Sequence, residues 1–166
     1  MVNLKNILIA IVIAAAAVVA FLVFFQSDEA KIKKKFHHLA EKVDKNGQEH
    51  DLIAAKKAHQ IEQMFFGTVR IRIPSYSVDK TFPRSEISPQ VLYARARYQN
   101  ISLKFHDFQF EFPTEEKAVV GLTGVLKAAT TSGESVNEIH EVECTLAKID
   151  GEWMFTGISE IEVLER

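Results

Sequence analysis

The hydrophobic pattern of this chain changes character along its length, and each change predicts a different element. Residues 7–25 read ILIAIVIAAAAVVAFLVFF, an apolar run with no charge, proline, glycine or polar side chain. At about 1.5 Å per helical residue the run is roughly 28 Å long, close to the hydrocarbon thickness of a bilayer. Beyond Gln26 the pattern is that of a folded domain. Ile32, Phe36, Leu39 and Val43 recur at helical spacing, with Ser27 or Asp28 placed to cap the start and Asn46-Gly47 to end it. A second helix is expected over 49–64, with Ala54, Ala58, Ile61 and Phe65 on its buried side. Residues 68–73 (TVRIRI) alternate strictly and are β-branched, which predicts a strand ended by Pro74. Residues 74–89 read as loop. A third helix follows, opened by Ser85 or by Ser88-Pro89, with Ile87, Val91, Ala94 and Tyr98 on one face.

The second half alternates as strands do. Ile101, Leu103 and Phe105 share one phase, and Phe108, Phe110 and Phe112 the other. A change of phase by one residue around His106-Asp107 predicts a β-bulge. Residues 118–129 form a long apolar strand containing Gly121 and Gly124, and Ser132-Gly133 turns the chain. Residues 136–149 alternate with His140, Val142, Cys144 and Leu146 on one face. Asp150-Gly151 is a favoured hairpin turn, and a last strand is expected from Trp153 to Val163.

The apolar run outlasts the core of a secretory signal and ends on bulky residues, with no small-residue cleavage pattern near Gln26 or Ser27. It is expected to remain as a single-pass anchor, so that 1–26 form the tail and span and 27–166 the domain. Basic residues favour the cytoplasmic side. Lys5 and the amino terminus lie before the run, Lys31, Lys33, Lys34 and Lys35 after it. The latter belong to a helix and follow Asp28 and Glu29. The short tail is therefore expected inside and the domain outside, periplasmic or otherwise extracytoplasmic, with a cytoplasmic domain as the alternative. Cys144 has no second cysteine to pair with and suits either compartment.

With Lys5 set aside, 19 of the 20 Lys and Arg face 22 Asp and Glu in the domain. Near-neutrality argues against a nucleic-acid partner, which calls for a basic surface. The lysines at 31, 33, 34 and 35 are placed to meet anionic headgroups or to form the solvated back of the first helix.

The order helix, helix, strand, helix and four hairpin-linked strands resembles the NTF2-like (cystatin-like, SnoaL-like) superfamily. The likeness runs through the closing segment Ala147-Lys-Ile-Asp-Gly-Glu-Trp-Met-Phe155 with Ile158 and Ile161, and through Arg84-Ser-Glu-Ile87 leading into the third helix. The resemblance implies an α+β fold, a curved antiparallel sheet wrapped around three helices as a cone. Enzymes on that fold place an Asp, His or Tyr at the cone's mouth for proton transfer. An anchored domain of this kind also resembles, in architecture only, the inner-membrane scaffold subunit of type IV secretion systems. Fold alone names no function.

Candidate chemistry is sparse. His140 shares the core-facing phase and could line a pocket. Tyr98 could offer a hydroxyl to it. His106 and Asp107 are adjacent, so a bulge is needed to bring them together. Tyr76 and Asp79 fall in the loop, where surface placement is the simple reading. His37-His38 and the pair His50 and His59 are badly spaced for joint ligation. Cys144 and His140 lie about 13 Å apart along a strand, so no metal or cofactor is expected, and Cys144 reads as core. The expected function is a membrane-anchored, non-catalytic domain that binds a protein partner or small ligand near the bilayer, with a homodimer through the sheet plausible on architecture. The alternative is an isomerase- or dehydratase-like enzyme with its pocket at the mouth. The two part on whether His140 meets an acid beside an open cavity or whether phenylalanines plug the mouth.

Overall fold

The computed structural model describes residues 11–13 and 27–161. The apolar run 7–25 therefore lies, apart from residues 11–13, outside the described residues. Residues 11–13 are helical and exposed. Among the described residues no helix is long and apolar enough to cross a membrane. The chain divides into two compact units, 1–33 and 34–166, with the boundary inside the first domain helix.

That helix, α1, is Asp28–Val43. Ser27 Oγ accepts from the Ala30 N–H at 3.3 Å, as the sequence leads one to expect of a cap. Helix α2 is Asp51–Glu62, capped by His50, whose Nδ1 accepts from the Leu52 N–H. Strand β1 is Phe65–Ile73 and β2 is Val78–Pro83. Helix α3 is Ile87–Arg97, and β3 to β6 are Asn100–Thr114, Lys117–Ala129, Ser135–Ile149 and Glu152–Glu160. They form one sheet in the order β2-β1-β6-β5-β4-β3, antiparallel except where β1 runs parallel to β6.

Strand β2 departs from the loop expected over 74–89. A short 3-10 turn, Pro74–Tyr76, folds the chain back so that Ile73 pairs with Val78 and Thr68 with Pro83. The strand carries Asp79, Lys80 and Thr81 outward and ends on proline. This is how an edge strand avoids recruiting another chain, and it removes the alternation that marks a strand in sequence. Ser77, at φ 55°, completes the turn in the left-handed region.

The bulge falls where the change of phase puts it. Pairing between β3 and β4 shifts between His106 and Gln109, and Asp107 takes φ 55°. The bulge keeps Phe105 and Phe108 on one face, and both pack edge-on against Phe36 of α1, at 5.2 and 5.4 Å between ring centres. Phe36 also meets Phe155 at 4.9 Å, and Phe155 meets Phe65 at 5.3 Å. Phe108, Phe110 and Phe112 stack in sequence toward Trp153. Cys144 is buried in this core, and burial pushes its thiol up to about 12. Asp150 and Gly151, at φ 50° and 84°, make the expected hairpin turn into β6.

The other end of the domain is polar inside. Arg95 of α3 is only 3% exposed. Its Nη1 donates to the carbonyls of Lys42 (3.1 Å) and Val43 (2.9 Å), the orphan acceptors at the end of α1. Its Nε and Nη2 donate to Glu49 Oε2 at 2.8 and 2.5 Å. Lys45, just beyond α1, returns the favour: its Nζ donates to the carbonyls of Arg95 (2.6 Å) and Tyr98 (2.7 Å) at the end of α3. Each helix thus caps the other's C-terminus with a cation, the sign the helix dipole favours there. Burial pushes the Glu49 carboxyl up, but the bonds from Lys57 and Arg95 outweigh it and hold the group below its ordinary value.

Removing one member of a buried, multiply bonded ion pair leaves the other uncompensated, at about 3–5 kcal/mol. Arg95→Met is expected to lower the unfolding free energy of the full chain by that amount, read from urea denaturation. A loss under about 1 kcal/mol contradicts the reciprocal capping.

Candidate functional site

Strand β5 carries an unusual in-phase series. Val136, Glu138, His140, Val142, Cys144 and Leu146 alternate along it, and the register sets Glu138 beside Leu126 and His140 beside Gly124. An acid and an imidazole therefore sit two residues apart on a face that is otherwise apolar. They touch: His140 Nε2 lies 3.1 Å from Glu138 Oε2. On its other side His140 Nδ1 lies 2.5 Å from Glu160 Oε1, brought alongside by the pairing of β6 with β5. The turn after β1 completes the group. Tyr76 donates its hydroxyl to Glu138 Oε1, and the Ser75 N–H donates to Glu160 Oε2 at 3.0 Å.

With both carboxylates ionised, both ring nitrogens of His140 must donate, which describes an imidazolium. The hydrogen bond to Glu138 raises His140 above its ordinary value, and the bond and charge of Glu160 add to it against the opposing effect of burial. Glu138 is held below the usual carboxylate range, first by the Tyr76 hydroxyl and then by His140. Glu160 is held low by the hydrogen bonds from Ser75 and then by His140. Tyr76, donating to an anion, is pushed up to about 12.

This group borders a cavity of about 370 Å³ between α3, the end of α1 and the face of β3 to β5. Glu138, Tyr76, Tyr98 and Arg95 supply its polar atoms; Val43, Val91, Ala94, Ile101, Leu126 and others supply its apolar wall. Among the described residues no phenylalanine lines it, and several rings pack against Phe36 of α1 instead. His140 and Glu160 do not line it; they line an open groove beside Pro74 and Ser75. The network thus runs from an apolar cavity to the outer surface.

Of the residues singled out in sequence, His140 and Tyr98 reach this region. Tyr98 lines the cavity just past the last turn of α3. His106 and Asp107 do not. The row Phe105, Gly124 and His140 crosses the sheet on one face, which puts His106, Thr123 and Glu141 on the other. Asp107 turns to that outer side, where Thr123 Oγ1 donates to it at 3.3 Å. Asp79 pairs with Arg70 at the surface at 3.1 Å. Lys31, Lys33 and Lys34 are exposed, and Lys31 lies 3.8 Å from Asp28. Lys35 departs from a fully solvated face: it is half-buried with its Nζ 3.7 Å from Met154 Sδ, and burial lowers its pKa against the opposing charge of Glu152. Among the described residues no group of three His, Cys, Asp or Glu side chains is placed to hold a metal.

Sequence reasoning missed Glu138, Glu160 and Tyr76. The first had a signal, because it shares the phase of His140. The other two depend on β2 and on the register of β6, which no local pattern announces.

No protein-family model matches the chain, and no curated protein does. Solved structures do. The chain is similar to the Kfla4162 protein from Kribbella flavida, at 10% identity over 80% of this chain and 88% of that one, with a TM-score of 0.67. It is similar to a hexachlorocyclohexane dehydrochlorinase, LinA type 2, at 12% identity over 80% and 83%, with a TM-score of 0.61. A structure named for scytalone dehydratase from Novosphingobium aromaticivorans matches at 15% identity over 86% of both chains, with a TM-score of 0.57. At such identities the likeness concerns the fold, and the fold is the NTF2-like one.

The network has a pH signature. His140 holds its proton more tightly folded than unfolded, so its contribution is complete below its ordinary 6.5 and is lost as pH rises through the raised folded value. Glu138 and Glu160 hold theirs less tightly, so their contribution is complete above the ordinary 4.5 and is lost as pH falls. His140→Gln is expected to lower the melting temperature most between these two values, by about 2–4 °C. The deficit should narrow in alkaline buffer. A deficit that is flat or that grows with pH contradicts the doubly paired imidazolium.

Proposed function

We propose that the chain is a proton-transfer enzyme of the isomerase or dehydratase kind, acting on a small neutral molecule in the 370 Å³ cavity, with residues 7–25 as its membrane anchor. The observation that carries this is Glu138: a carboxylate in an apolar cavity wall, bonded on one oxygen to a tyrosine hydroxyl and on the other to a histidine. Such convergence of an acid, a base and a hydroxyl beside an apolar cavity is what general acid–base catalysis needs. The structures named for LinA and for scytalone dehydratase share the fold and support the same reading, while carrying none of its residues over.

The geometry suggests how the parts divide the work. A substrate carbonyl takes the Tyr76 hydroxyl bond, which frees Glu138 Oε1. Glu138 then removes a proton from the carbon next to the carbonyl, and the electron pair of that C–H bond moves into an enolate whose oxygen Tyr76 hydrogen-bonds. Protonated Glu138 returns the proton either to a more distant carbon, giving an isomer, or to a departing hydroxyl, giving water. His140 and Glu160 hold Glu138 in place from behind and connect it to the outer groove. Here His140 is a positioning residue and Glu138 and Tyr76 are catalytic.

Residues 11–13 are helical, apolar and exposed, the state that lipid-facing residues of a span present, and this supports the anchor. A purely binding role is the second reading. What favours it is that both His140 nitrogens are already engaged within the protein.

The test is solvent proton exchange. The full chain is incubated in D2O with small cyclic and aryl ketones, and deuterium uptake next to the carbonyl is followed by NMR. Exchange above background is expected, falling at least about 100-fold in Glu138→Gln and less in Tyr76→Phe. Ligands that bind without exchange, with Glu138→Gln indistinguishable from the native chain, contradict catalysis and leave the binding role.

A further inference from the structure

Among the described residues, the polar side chains that line the 370 Å³ cavity are Tyr76, Arg95, Tyr98 and Glu138. Arg95 is held by Glu49 and by the carbonyls that end α1. Tyr76 and Glu138 bond each other, and Glu138 meets His140 with its second oxygen. Tyr98 differs: among the described residues nothing bonds its hydroxyl. That oxygen is not sealed away either. Among the described residues the buried side-chain atom left without a partner is Arg84 Nε, so the Tyr98 oxygen is open to whatever occupies the space beside it.

The rest of Tyr98 is fixed. Its N–H donates to the Ala94 carbonyl at 3.0 Å, and its own carbonyl accepts from Lys45 Nζ at 2.7 Å. The Arg97 guanidinium lies 5.9 Å from its ring centre, within the range of a cation–π contact. Its phenol is close enough to Tyr76 to add to the field that pushes that hydroxyl up, so the two tyrosines share one neighbourhood. A tyrosine packed into a protein ordinarily finds a partner for its hydroxyl. One that is held in place at a cavity wall with its hydroxyl to spare offers a ligand a hydrogen bond at little cost in ordering.

We propose that Tyr98 is a specificity-determining residue that takes a second oxygen of the ligand, so that the substrate is a compact molecule with two oxygens, a hydroxy ketone rather than a simple ketone. The inference rests on the reading given above, in which the cavity is the ligand site and Tyr76 takes the carbonyl. It deepens that reading by naming the substrate class, the one from which a dehydration starts. Tyr76 and Tyr98 come from separate elements, the turn after β1 and the end of α3, so the ligand is held from two sides of the fold. The remaining wall, with Val91, Ala94, Leu126 and Val136, suits a hydrocarbon skeleton between the two oxygens.

The probes are cyclohexanone and its 2-, 3- and 4-hydroxy derivatives, bound to the full chain and followed by NMR titration. The readout is the affinity of each hydroxy ketone relative to the parent ketone. In the native chain at least one hydroxy ketone should bind about 3–10-fold more tightly than the parent, the gain of one net hydrogen bond. Tyr98→Phe removes the hydroxyl and keeps the ring and both backbone bonds, and the ratio should fall to about one. A general loosening of the fold weakens parent and derivative alike and leaves the ratio where it was; an unchanged ratio overturns the proposal. A native chain without any preference overturns it before a variant is made, and so does a complete lack of binding across the set. A preference that depends on Tyr98, with no proton exchange, leaves the proposal standing and removes the catalytic reading. Proton exchange with a preference that Tyr98→Phe does not move has the opposite meaning.

Discussion

A buried guanidinium has to be satisfied on every side, and Arg95 finds its partners at the ragged end of α1 and in Glu49. The consequence is spatial. Because Arg95 reaches across to the Lys42 and Val43 carbonyls, the ends of α1 and α3 are held side by side without a large apolar side chain between them. The cavity occupies the space that this polar contact keeps open. Elsewhere under α1 the phenylalanines fill the interior. The domain is thus divided into a ring-packed end that supplies hydrophobic stability and a polar-braced end that leaves room for a ligand.

The same division explains where the chemistry sits. A carboxylate in the ring-packed end would have no partner and would be neutralised. At the braced end Glu138 is partly exposed and bonded by Tyr76 and His140, and His140 in turn by Glu160. The chain of groups also spans separate elements: it starts on a turn between β1 and β2, passes through β5 and ends on β6. Its geometry therefore depends on the hairpin that brings Tyr76 and Ser75 over the sheet, and on the parallel pairing of β1 with β6.

How much of this is legible in the chain follows from the range of each interaction. The bulge at His106-Asp107, the turn at Asp150-Gly151 and the core-facing phase of His140 are local, and the alternation of apolar residues displays them. Strand β2 is hidden because its exposed positions are charged and its end is a proline, the features that protect an edge. Tyr76 is hidden with it: it does lie at the surface, 55% exposed, as expected of a tyrosine there, but its bond to Glu138 depends on the hairpin. Glu160 is hidden by a shift in pairing between β5 and β6 at Thr145 and Leu146. Arg95 gives no sign of burial in sequence, since a lone arginine on a helix is ordinarily solvated. The apolar run 7–25 is the plainest signal of all, and its meaning for location rests on composition and length.

The account stands on His140 being an imidazolium clamped between two carboxylates, and side-chain 15N NMR reads that state directly. The account predicts that both ring nitrogens carry protons at neutral pH, that this persists above the ordinary 6.5, and that Glu138→Gln moves the titration back toward that value. A ring that is neutral at pH 7 and titrates at or below 6.5 in the native chain contradicts it.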